Sequence, residues 1–312
     1  MTQITKTRTA LVTGSAGFIG FHVAKQLLND GWKVIGVDNL CPYYDVQLKR
    51  AREDILLRDP DYISYHSDIE IEGFLFNIFE RYRPEAVIHL AAQAGVRNSI
   101  KDPRSYLSSN IIGTFELLEA ARSFKPSHIL LASTSSVYGA NDKQPYNEND
   151  KTDRPISFYA ATKKSTENIA YCYSHLYDLP VTVFRFFTVY GPWGRPDMAL
   201  FKFTKAIKNN DAIDVYNYGK MKRDFTYIDD LVACIMGLLP LPPHNSEKST
   251  TLKDARFRAI NIGNNNPIHL LRFIQAIENV LDIKARMNFL PLQDGDVVST
   301  WADNKFLMSL IG

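Results

Sequence analysis

The sequence predicts an α/β protein built on a doubly wound parallel sheet, with a smaller α/β lobe towards its C-terminus. Short, continuous apolar runs alternate with helical segments through the first half of the 312 residues. This alternation is typical of a parallel sheet that is covered on both faces. The second half has shorter, less regular elements. We expect it to form a lobe over the carboxyl edge of the sheet, where open α/β sheets bind ligands.

The elements follow in order along the chain. Strands are predicted at residues 9–12, Lys33–Asp38, Tyr62–His66, 86–90, 128–132 and Val181–Phe186, and helices at residues 45–58, 71–81, 105–123 and Phe158–Tyr177. We predict one domain over residues 1–187, to which segments near 226–239 and 297–303 return, and a ligand-binding lobe over residues 188–312. The polar run 244–253 is expected to be a loop.

Composition excludes several classes of protein. The net charge of +2 gives no electrostatic reason to expect nucleic acid or an anionic membrane as a partner. No apolar run is long enough to span a bilayer, and the first eight residues lack the apolar core of a signal peptide. Cys41, Cys172 and Cys234 have no metal-binding spacing, so we expect free thiols, no metal and a cytoplasmic protein.

Residues 13–20 read T-G-S-A-G-F-I-G and join the first strand to a helix. Gly14 allows a sharp turn, Gly17 lets the backbone approach a pyrophosphate, and Gly20 lets the helix pack close to the strand. The helix N-terminus then offers free N–H groups to phosphates. The alternative is a glycine-rich turn that only caps the helix. The strand before and the helix after favour a dinucleotide site of the Rossmann type.

Asp38 ends the second strand, 18 residues after Gly20. A carboxylate at this place accepts hydrogen bonds from an adenosine ribose and repels a 2′-phosphate. The sequence therefore predicts NAD rather than NADP.

Tyr159 and Lys163 are four residues apart on a predicted helix, so they share one face. An ammonium near a phenol favours the phenolate and lowers the pKa of the phenol, which creates a general base for a hydroxyl proton. An exposed helix face is the alternative. Residues 133–136, S-T-S-S, follow a buried strand and can bridge Tyr159 to a sugar hydroxyl, or form a turn that satisfies its own backbone.

Together these motifs resemble the extended short-chain dehydrogenase/reductase family that acts on nucleotide sugars, the NAD-dependent epimerases and dehydratases. Longer motifs resemble its UDP-glucuronate 4-epimerases nearly end to end: D-N-L at residues 38–40, Y-Y-D at 43–45, Q-A-G-V-R at 93–97, and residues 185–199 and 218–230.

The resemblance implies tightly bound NAD and a UDP-sugar substrate. It implies catalytic roles for Thr134, Tyr159 and Lys163. The cofactor contacts that it implies are Gly14, Gly17, Phe18, Ile19, Gly20, Asp38, Asn39, Asp68, Ile69, Ala91, Ala92, Gln93, Asn110, Ser133, Tyr159 and Lys163. The substrate contacts are Ser135, Ser136, Thr188, Arg195, Val215, Tyr216, Arg223 and Asp296, with Arg223 at the UDP phosphates and Asp296 near the uridine ribose.

The implied activity is an isomerase reaction that converts UDP-glucuronate to UDP-galacturonate for polysaccharide biosynthesis. Tyr159 takes the C4 hydroxyl proton, the C4 hydride passes to NAD⁺, and the 4-keto sugar rotates and receives the hydride on its other face. The 4-keto uronic acid is a β-keto acid that tends to lose CO2. Ser135, Ser136 and Thr188 are therefore expected to hold its carboxylate by charge-assisted hydrogen bonds.

Residues 134–136 bear on the alternatives. Related dehydratases resemble T-D-E there and related UDP-glucuronate decarboxylases resemble T-S-E, whereas this chain has T-S-S. The lack of an ionisable group disfavours both reactions. A UDP-glucose/UDP-galactose-type 4-epimerase stays open. A non-catalytic NAD-binding regulator is disfavoured because the threonine, tyrosine and lysine are all present.

Two positions depart from the resemblance. Gln293 stands where galactose-type epimerases often have an arginine, so one phosphate contact is missing or replaced, and relatives usually continue through a further strand and helix beyond Gly312. The resemblance also implies a homodimer held by a four-helix bundle. Its helices, at residues 100–123 and Phe158–Tyr177, carry the apolar or aromatic residues Tyr106, Phe115, Leu118, Ala170, Tyr171 and Leu176.

Overall fold

A computed structural model describes residues 8–244 and 255–312 of the chain. Except for His244, the predicted loop 244–253 lies outside the described residues, as do the first seven residues. The strands are β1 Thr9–Thr13, β2 Lys33–Asp38, β3 Tyr62–His66, β4 Ala86–His89, β5 His128–Thr134, β6 Val181–Phe186, β7 Thr188–Tyr190, β8 Ala212–Val215, β9 Lys222–Tyr227, β10 Phe257–Ile262, β11 Pro267–His269 and β12 Arg286–Phe289.

The helices alternate with the strands through the first half of the chain. They are α1 Phe18–Asn29, α2 Val46–Leu56, α3 Phe74–Tyr82, α4 Val96–Lys101, α5 Pro103–Tyr106, α6 Gly113–Phe124, α7 Phe158–Tyr177, α8 Ala199–Lys208, α9 Ile228–Leu238, α10 Leu270–Leu281 and α11 Lys305–Ile311.

The large sheet has seven strands in the order β10-β6-β5-β4-β1-β2-β3, and each neighbouring pair is parallel. One apolar cluster covers each face, with α1, α9 and α11 on one side and α3, α6 and α7 on the other. The predicted doubly wound sheet is therefore confirmed. The chain turns outward from β1 to β3 and returns at β4, so the carboxyl ends of β1 and β4 form the switch point where such sheets bind ligands.

The smaller lobe contains a three-stranded sheet, β11-β9-β7, and the parallel pair β12-β8. Ile207 of α8, Ile213 and Val215 of β8, and Ile274 and Ile277 of α10 form its own apolar core. Because these elements are short, the lobe presents turns as well as strand ends to the large domain.

The large domain receives more of the second half of the chain than was expected. Residues of α9, Ile228–Leu238, pack in the same apolar core as α1. Segment 257–262, which we placed in the lobe, is instead β10 and pairs with β6 along its whole length. Its last three residues, Ile260, Asn261 and Ile262, are buried. The run is short and lies far along the chain from the strand that it joins, so the sequence did not indicate its partner.

The long helix predicted over residues 105–123 is interrupted. Residues Leu107–Ile112 form a π-helical stretch between α5 and α6. Inserted π-helical turns are frequent at functional sites, and here the stretch carries Asn110, a candidate cofactor contact.

Three of the six residues proposed for a dimer face belong to the core of the chain itself. Tyr106, Leu118 and Ala170 are fully buried, whereas Phe115, Tyr171 and Leu176 are 43%, 51% and 61% exposed. Among the described residues, we find no helix that combines the length and the apolar character needed to cross a bilayer.

Candidate active site

A cleft of ≈ 660 Å³ lies between the large sheet and the lobe, at the carboxyl ends of β1, β4 and β5. Its wall contains the glycine turn at one end, Thr134, Tyr159 and Lys163 near the middle, and residues of the lobe at the other end. The three groups of candidate residues are therefore brought into one continuous space, which the sequence predicted from the edge of the sheet.

The glycine turn has no room for side chains. Gly14 has φ +72°, and a Cβ on Gly20 would lie 2.0 Å from the Gly14 carbonyl oxygen. Gly17 precedes α1 and its N–H donates to the same oxygen at 3.0 Å. The start of α1 thus lies against the turn, with Gly17, Phe18, Ile19 and Gly20 in the wall of the cleft.

Asp38 lines the cleft beside this turn. Its carboxylate accepts hydrogen bonds from the N–H groups of Ala16 at 3.1 Å and Leu40 at 2.8 Å, and Lys49 Nζ lies 3.8 Å away. The residue is nearly buried. These contacts hold the carboxylate in one place at the end of β2, next to the start of α1.

The remaining cofactor candidates divide into two groups. Asn39, Ile69, Ala91, Ala92, Gln93 and Ser133 line the cleft, whereas Asp68 and Asn110 do not. Asp68 accepts a hydrogen bond from Asn39 at 2.6 Å. Asn110 accepts from the Gln93 N–H at 2.8 Å and donates to the Gln93 carbonyl at 3.1 Å and to Thr162 at 3.0 Å. In this structure Asn110 fixes the backbone that lines the cleft and is not itself part of the wall.

Thr134 ends β5, and Tyr159 and Lys163 lie one turn apart on α7. All three side chains line the cleft, and the Thr134 hydroxyl donates to Ser136 Oγ at 3.2 Å. Lys163 is buried, and α7 is capped by Ser157, whose hydroxyl accepts a hydrogen bond from the Ala160 N–H. A capped helix start places the tyrosine in its first turn, where it is held by regular backbone rather than by a loop.

The expected lowering of the phenol pKa is wrong for this structure. Burial raises the pKa of Tyr159, although the nearby Thr134 hydroxyl and the charge of Arg195 act in the opposite direction. Burial also lowers the pKa of Lys163 to about 8, an effect that the Glu167 carboxylate opposes. Desolvation penalises the charged form of both groups. The sequence does not show how deeply either side chain is buried.

A buried ion pair supports the same wall. Glu167 lies one turn beyond Lys163 and binds Arg185 of β6 through both carboxylate oxygens, at 3.0 and 2.9 Å. Ser133 donates to Glu167 at 2.6 Å. Burial raises the pKa of Glu167, but hydrogen bonds from Arg185 and Ser133 and nearby cations lower it overall. The ionised pair therefore ties α7 to β5 and β6 directly behind Thr134.

Ser135 and Ser136 are half-buried and do not line the cleft. They begin a 3-10 turn whose Val137 and Tyr138 are buried in a separate apolar cluster. Ser136 instead contacts Thr134: its hydroxyl accepts from Thr134 Oγ1 at 3.2 Å, and its N–H donates to the same oxygen at 3.2 Å. The 3-10 turn therefore places Ser135 and Ser136 behind Thr134, which lines the cleft.

The lobe contributes most of the substrate candidates. Thr188, Arg195, Tyr216, Arg223 and Asp296 line the cleft. Val215, in contrast, is fully buried in the apolar core of the lobe, where it precedes Tyr216. Its side chain stabilises the lobe rather than facing a ligand, as the alternation of buried and exposed residues along β8 requires.

Arg195 forms an ion pair within the chain itself. Its guanidinium donates to both carboxylate oxygens of Asp197, at 3.0 and 2.6 Å, and lies 5.5 Å from the ring centroid of Tyr43. Asp197 and Tyr43 also line the cleft. Neither was among the predicted site residues, although Tyr43 belongs to the Y-Y-D motif.

Arg97 is a further cleft residue that we did not predict. It donates to Asp296 at 3.2 Å, and its guanidinium lies 4.8 Å from the ring centroid of Tyr216. Arg223 donates to the backbone oxygens of Lys222 at 2.8 Å and Val298 at 3.2 Å. The only sequence signal for Arg97 was its place in the Q-A-G-V-R motif, because its partners are far away in the chain.

Comparison with known proteins agrees with this geometry. The model of the NAD dependent epimerase/dehydratase family matches residues 10–252. A probable UDP-glucuronate 4-epimerase of Rhizobium meliloti is 48% identical over 309 residues, covering 97% of this chain and 91% of the relative. UDP-glucuronate 4-epimerase 3 of Arabidopsis thaliana is 46% identical over 303 residues, covering 94% of this chain and 69% of the relative.

Among solved structures, the UDP-glucuronic acid 4-epimerase of Bacillus cereus, in complex with UDP-glucuronic acid and NAD, is similar over 97% of this chain and 92% of its own. The TM-score is 0.87 at 33% sequence identity.

Proposed function

The chain belongs to the NAD-dependent epimerase/dehydratase family, and we propose that it catalyses the C4 epimerisation of UDP-glucuronate to UDP-galacturonate with bound NAD. The observation that carries the proposal is the cleft itself. Thr134, Tyr159 and Lys163 lie between a glycine turn and the arginines of the lobe. A hydroxyl–phenol–ammonium set between a dinucleotide site and a phosphate site suits oxidation of a nucleotide-sugar alcohol.

The residues around the glycine turn fit NAD. A Cβ on Gly17 would lie 2.9 Å from the Gly14 carbonyl oxygen, so the turn needs glycine there, and Gly14, Gly17 and Gly20 leave bare backbone in the cleft wall. We assign the pyrophosphate to the N-terminus of α1 and the adenosine ribose to Asp38. A bound NAD would supply the acceptor, and then the donor, of the C4 hydride.

We assign proton transfer to Tyr159. Its phenolate removes the C4 hydroxyl proton as C4 is oxidised, and its phenol returns a proton when the carbonyl is reduced. Thr134, which lines the cleft together with Tyr159, is proposed to orient the hydroxyl. Lys163 is the buried cation on the same helix face, and its charge is proposed to oppose the desolvation that raises the pKa of Tyr159. The substrate is neither oxidised nor reduced overall, so one bound cofactor serves every turnover.

Arg195, Arg223 and Asp296 are proposed to bind the UDP-sugar. Arginines suit a pyrophosphate because their planar guanidinium groups donate to two oxygens at once. We also assign Arg97 to this group, because it lies between Asp296 and the Tyr216 ring. Arg97 is then the third arginine of this group, in a chain that has Gln293, outside the cleft wall, where galactose-type epimerases often have an arginine.

Retention of the carboxylate separates this reaction from decarboxylation. Position 136 carries a hydroxyl and no charge, so nothing there repels a uronate or protonates a carbanion. Thr188 lines the cleft and is proposed to bind the carboxylate directly. Ser136 is proposed to act through its hydrogen bonds with Thr134, with Ser135 beside it.

Incubation with UDP-glucuronate, followed by proton NMR, tests the proposal. We expect UDP-galacturonate to appear until an equilibrium mixture forms. UDP-xylose or a 4-keto pentose as the main product would instead identify a decarboxylase. Parallel reactions with UDP-glucose and UDP-galactose test the neutral-sugar alternative, which predicts faster conversion of these than of the uronates. Denatured protein should release one NAD per chain.

A homodimer is also proposed. Phe115 of α6 and Tyr171 and Leu176 of α7 are exposed apolar or aromatic side chains, and Leu107 and Ile112 of the π-helical stretch are each 41% exposed. Paired helices of two copies would cover them. Sedimentation at micromolar concentration should give a dimer, and Phe115→Glu should give a monomer. A monomeric wild type would remove the proposal.

A further proposal is a reducing, cytoplasmic location. The structure has free thiols at Cys41, Cys172 and Cys234. An enzyme that uses a nucleotide sugar and NAD is expected in the compartment that contains both compounds. Fractionation of cells that contain a tagged chain tests it.

A further inference from the structure

Helix α2 has a buried face that is made of charged side chains. Lys49, Arg52 and Glu53 are buried, and Arg52 has no exposed surface at all. Lys49 lies beside Asp38, and Glu53 binds Ser64 and His66 of β3. Burial of a charge is costly unless hydrogen bonds replace its water. The partners of Arg52 therefore show what this helix holds together.

Arg52 uses all three guanidinium nitrogens. Nε and Nη2 donate to the Trp193 carbonyl at 3.1 and 2.6 Å, and Nη2 also reaches the Gly194 carbonyl at 3.3 Å. Nη1 donates to the Ala16 carbonyl at 3.0 Å and to the Tyr44 hydroxyl at 2.8 Å. One side chain thus joins the glycine turn to the turn that immediately precedes Arg195.

The turn before Arg195 depends on contacts from outside. Trp193 has φ +58°, a left-handed conformation that is unfavourable for a bulky residue and persists where surrounding structure holds it. His22 Nε2 lies 3.0 Å from the Pro192 carbonyl, and the Trp193 ring packs 5.8 Å from Phe21. Those contacts come from α1, so the large domain fixes this turn from two of its helices.

A second series of contacts links Arg52 to the guanidinium of Arg195. Arg52 binds the hydroxyl of Tyr44, and the ring of the adjacent Tyr43 lies 5.5 Å from the Arg195 guanidinium. Arg195 is therefore supported through its own backbone on one side and through an aromatic ring on the other. Both supports begin at Arg52.

We propose that Arg52 is a positioning residue that sets Arg195 for the UDP-sugar and links its place to the NAD-binding turn. The inference rests on the proposed function of the cleft. Arg52 itself does not line the cleft. A lysine cannot replace it, because an ammonium is a compact donor and lacks the planar fork that reaches two turns and a phenol.

The test compares Arg52→Met with Arg50→Met, which removes an exposed arginine from the same helix. We expect Arg52→Met to weaken UDP-glucuronate binding, measured by calorimetry, by roughly tenfold, the effect of losing about one hydrogen bond to a charged group. KM should rise in step, kcat should fall less, and NAD released on denaturation should equal that of the control. Arg50→Met should bind as the wild type does.

A double-mutant cycle with Arg195→Met separates positioning from general stabilisation. If Arg52 acts through Arg195, Arg52→Met adds no more than about twofold in the Arg195→Met background. Equal effects in both backgrounds, or Arg52→Met binding like Arg50→Met, would overturn the proposal. The proposal would also be overturned if Arg52→Met lost NAD while its NAD-containing molecules bound UDP-glucuronate with wild-type affinity.

If Arg52→Met does not fold, Arg52→Lys makes the same comparison. It keeps a buried cation, and it should still bind UDP-glucuronate more weakly than the wild type. Wild-type affinity in Arg52→Lys would refute the need for the guanidinium. Because binding is measured apart from turnover, a wild type that binds UDP-sugars without epimerising them would refute the proposed function alone.

Discussion

Thr134, Tyr159 and Lys163 lie on two regular elements of the large domain, whereas Arg195, Arg223 and Asp296 lie on turns and short strands around the lobe. The first group is held by a capped helix, a central strand and the buried Glu167–Arg185 pair. The second group is held mainly by side-chain contacts, among them the pairs of Arg195 with Asp197 and Arg97 with Asp296. The groups to which we assign proton transfer are therefore held by regular secondary structure. The groups to which we assign recognition of the nucleotide sugar depend on side-chain pairs that a ligand can rearrange.

The largest effect expected from this difference is on catalysis. Tyr159→Phe removes the proposed base from the first group, so kcat should fall by roughly 10²- to 10⁴-fold. Binding of UDP-glucuronate and of NAD should change little, because the ring remains. Tyr171→Phe, on the exposed side of the same helix, is the matched control. Near-normal turnover of Tyr159→Phe would contradict its role.

The opposite pattern is expected in the lobe. Arg223→Met should raise KM and weaken UDP binding by about tenfold to a hundredfold, the range for losing a hydrogen bond to a charged group. The kcat at saturation should stay within about threefold of the wild type, because the transition-state contacts at C4 remain. Arg286→Met, an exposed arginine of β12, is the control. A large fall in kcat with unchanged KM would remove the distinction between the two groups.

The charge of the Glu167 carboxylate near Lys163 should affect the pH dependence of kcat. Glu167 holds up the pKa of Lys163, which is about 8, so Glu167→Gln lowers that pKa. Because Lys163 must be protonated to favour the phenolate, the alkaline limb of kcat should move to lower pH. Ser133→Ala keeps the charge and should leave this limb in place. An unmoved limb in Glu167→Gln would show that the carboxylate acts only as a structural partner.

That variant also leaves Arg185 buried without its partner, which costs roughly 3–5 kcal/mol of stability. The profile should therefore be measured well below the melting temperature of the variant.

The smallest change in rate is expected from substitution of Ser136, which lies behind the cleft wall. Ser136→Ala removes a hydroxyl that binds Thr134 and should lower kcat by about threefold or less. The informative quantity is the share of substrate that loses CO2, which should rise because Thr134 is less well placed. Trapped ¹³CO2 from C6-labelled substrate measures it. No change in rate, binding or CO2 release would exclude a role in retaining the carboxylate.

Much of the catalytic site could be predicted because its signals are local. Gly14, Gly17, Gly20 and Asp38 stand at fixed distances around one strand–turn–helix unit, and Tyr159 and Lys163 share one helical turn. Strand and helix periods then place them at the same edge. The prediction failed where burial decides, as with the pKa of Tyr159. The sequence also showed no sign of contacts between distant segments, such as the hydrogen bond from the Gln93 N–H to Asn110.

The sequence by itself determined the doubly wound sheet, the glycine turn with Asp38, and the threonine–tyrosine–lysine set, because each follows from short-range pattern and spacing. Only the tertiary structure decided that β10 completes the large sheet, that Val215 belongs to a core, and that Arg52 of α2 binds the turn before Arg195. These contacts join segments far apart in the chain. Their energy comes from burial and hydrogen bonding between distant partners, which no local pattern records.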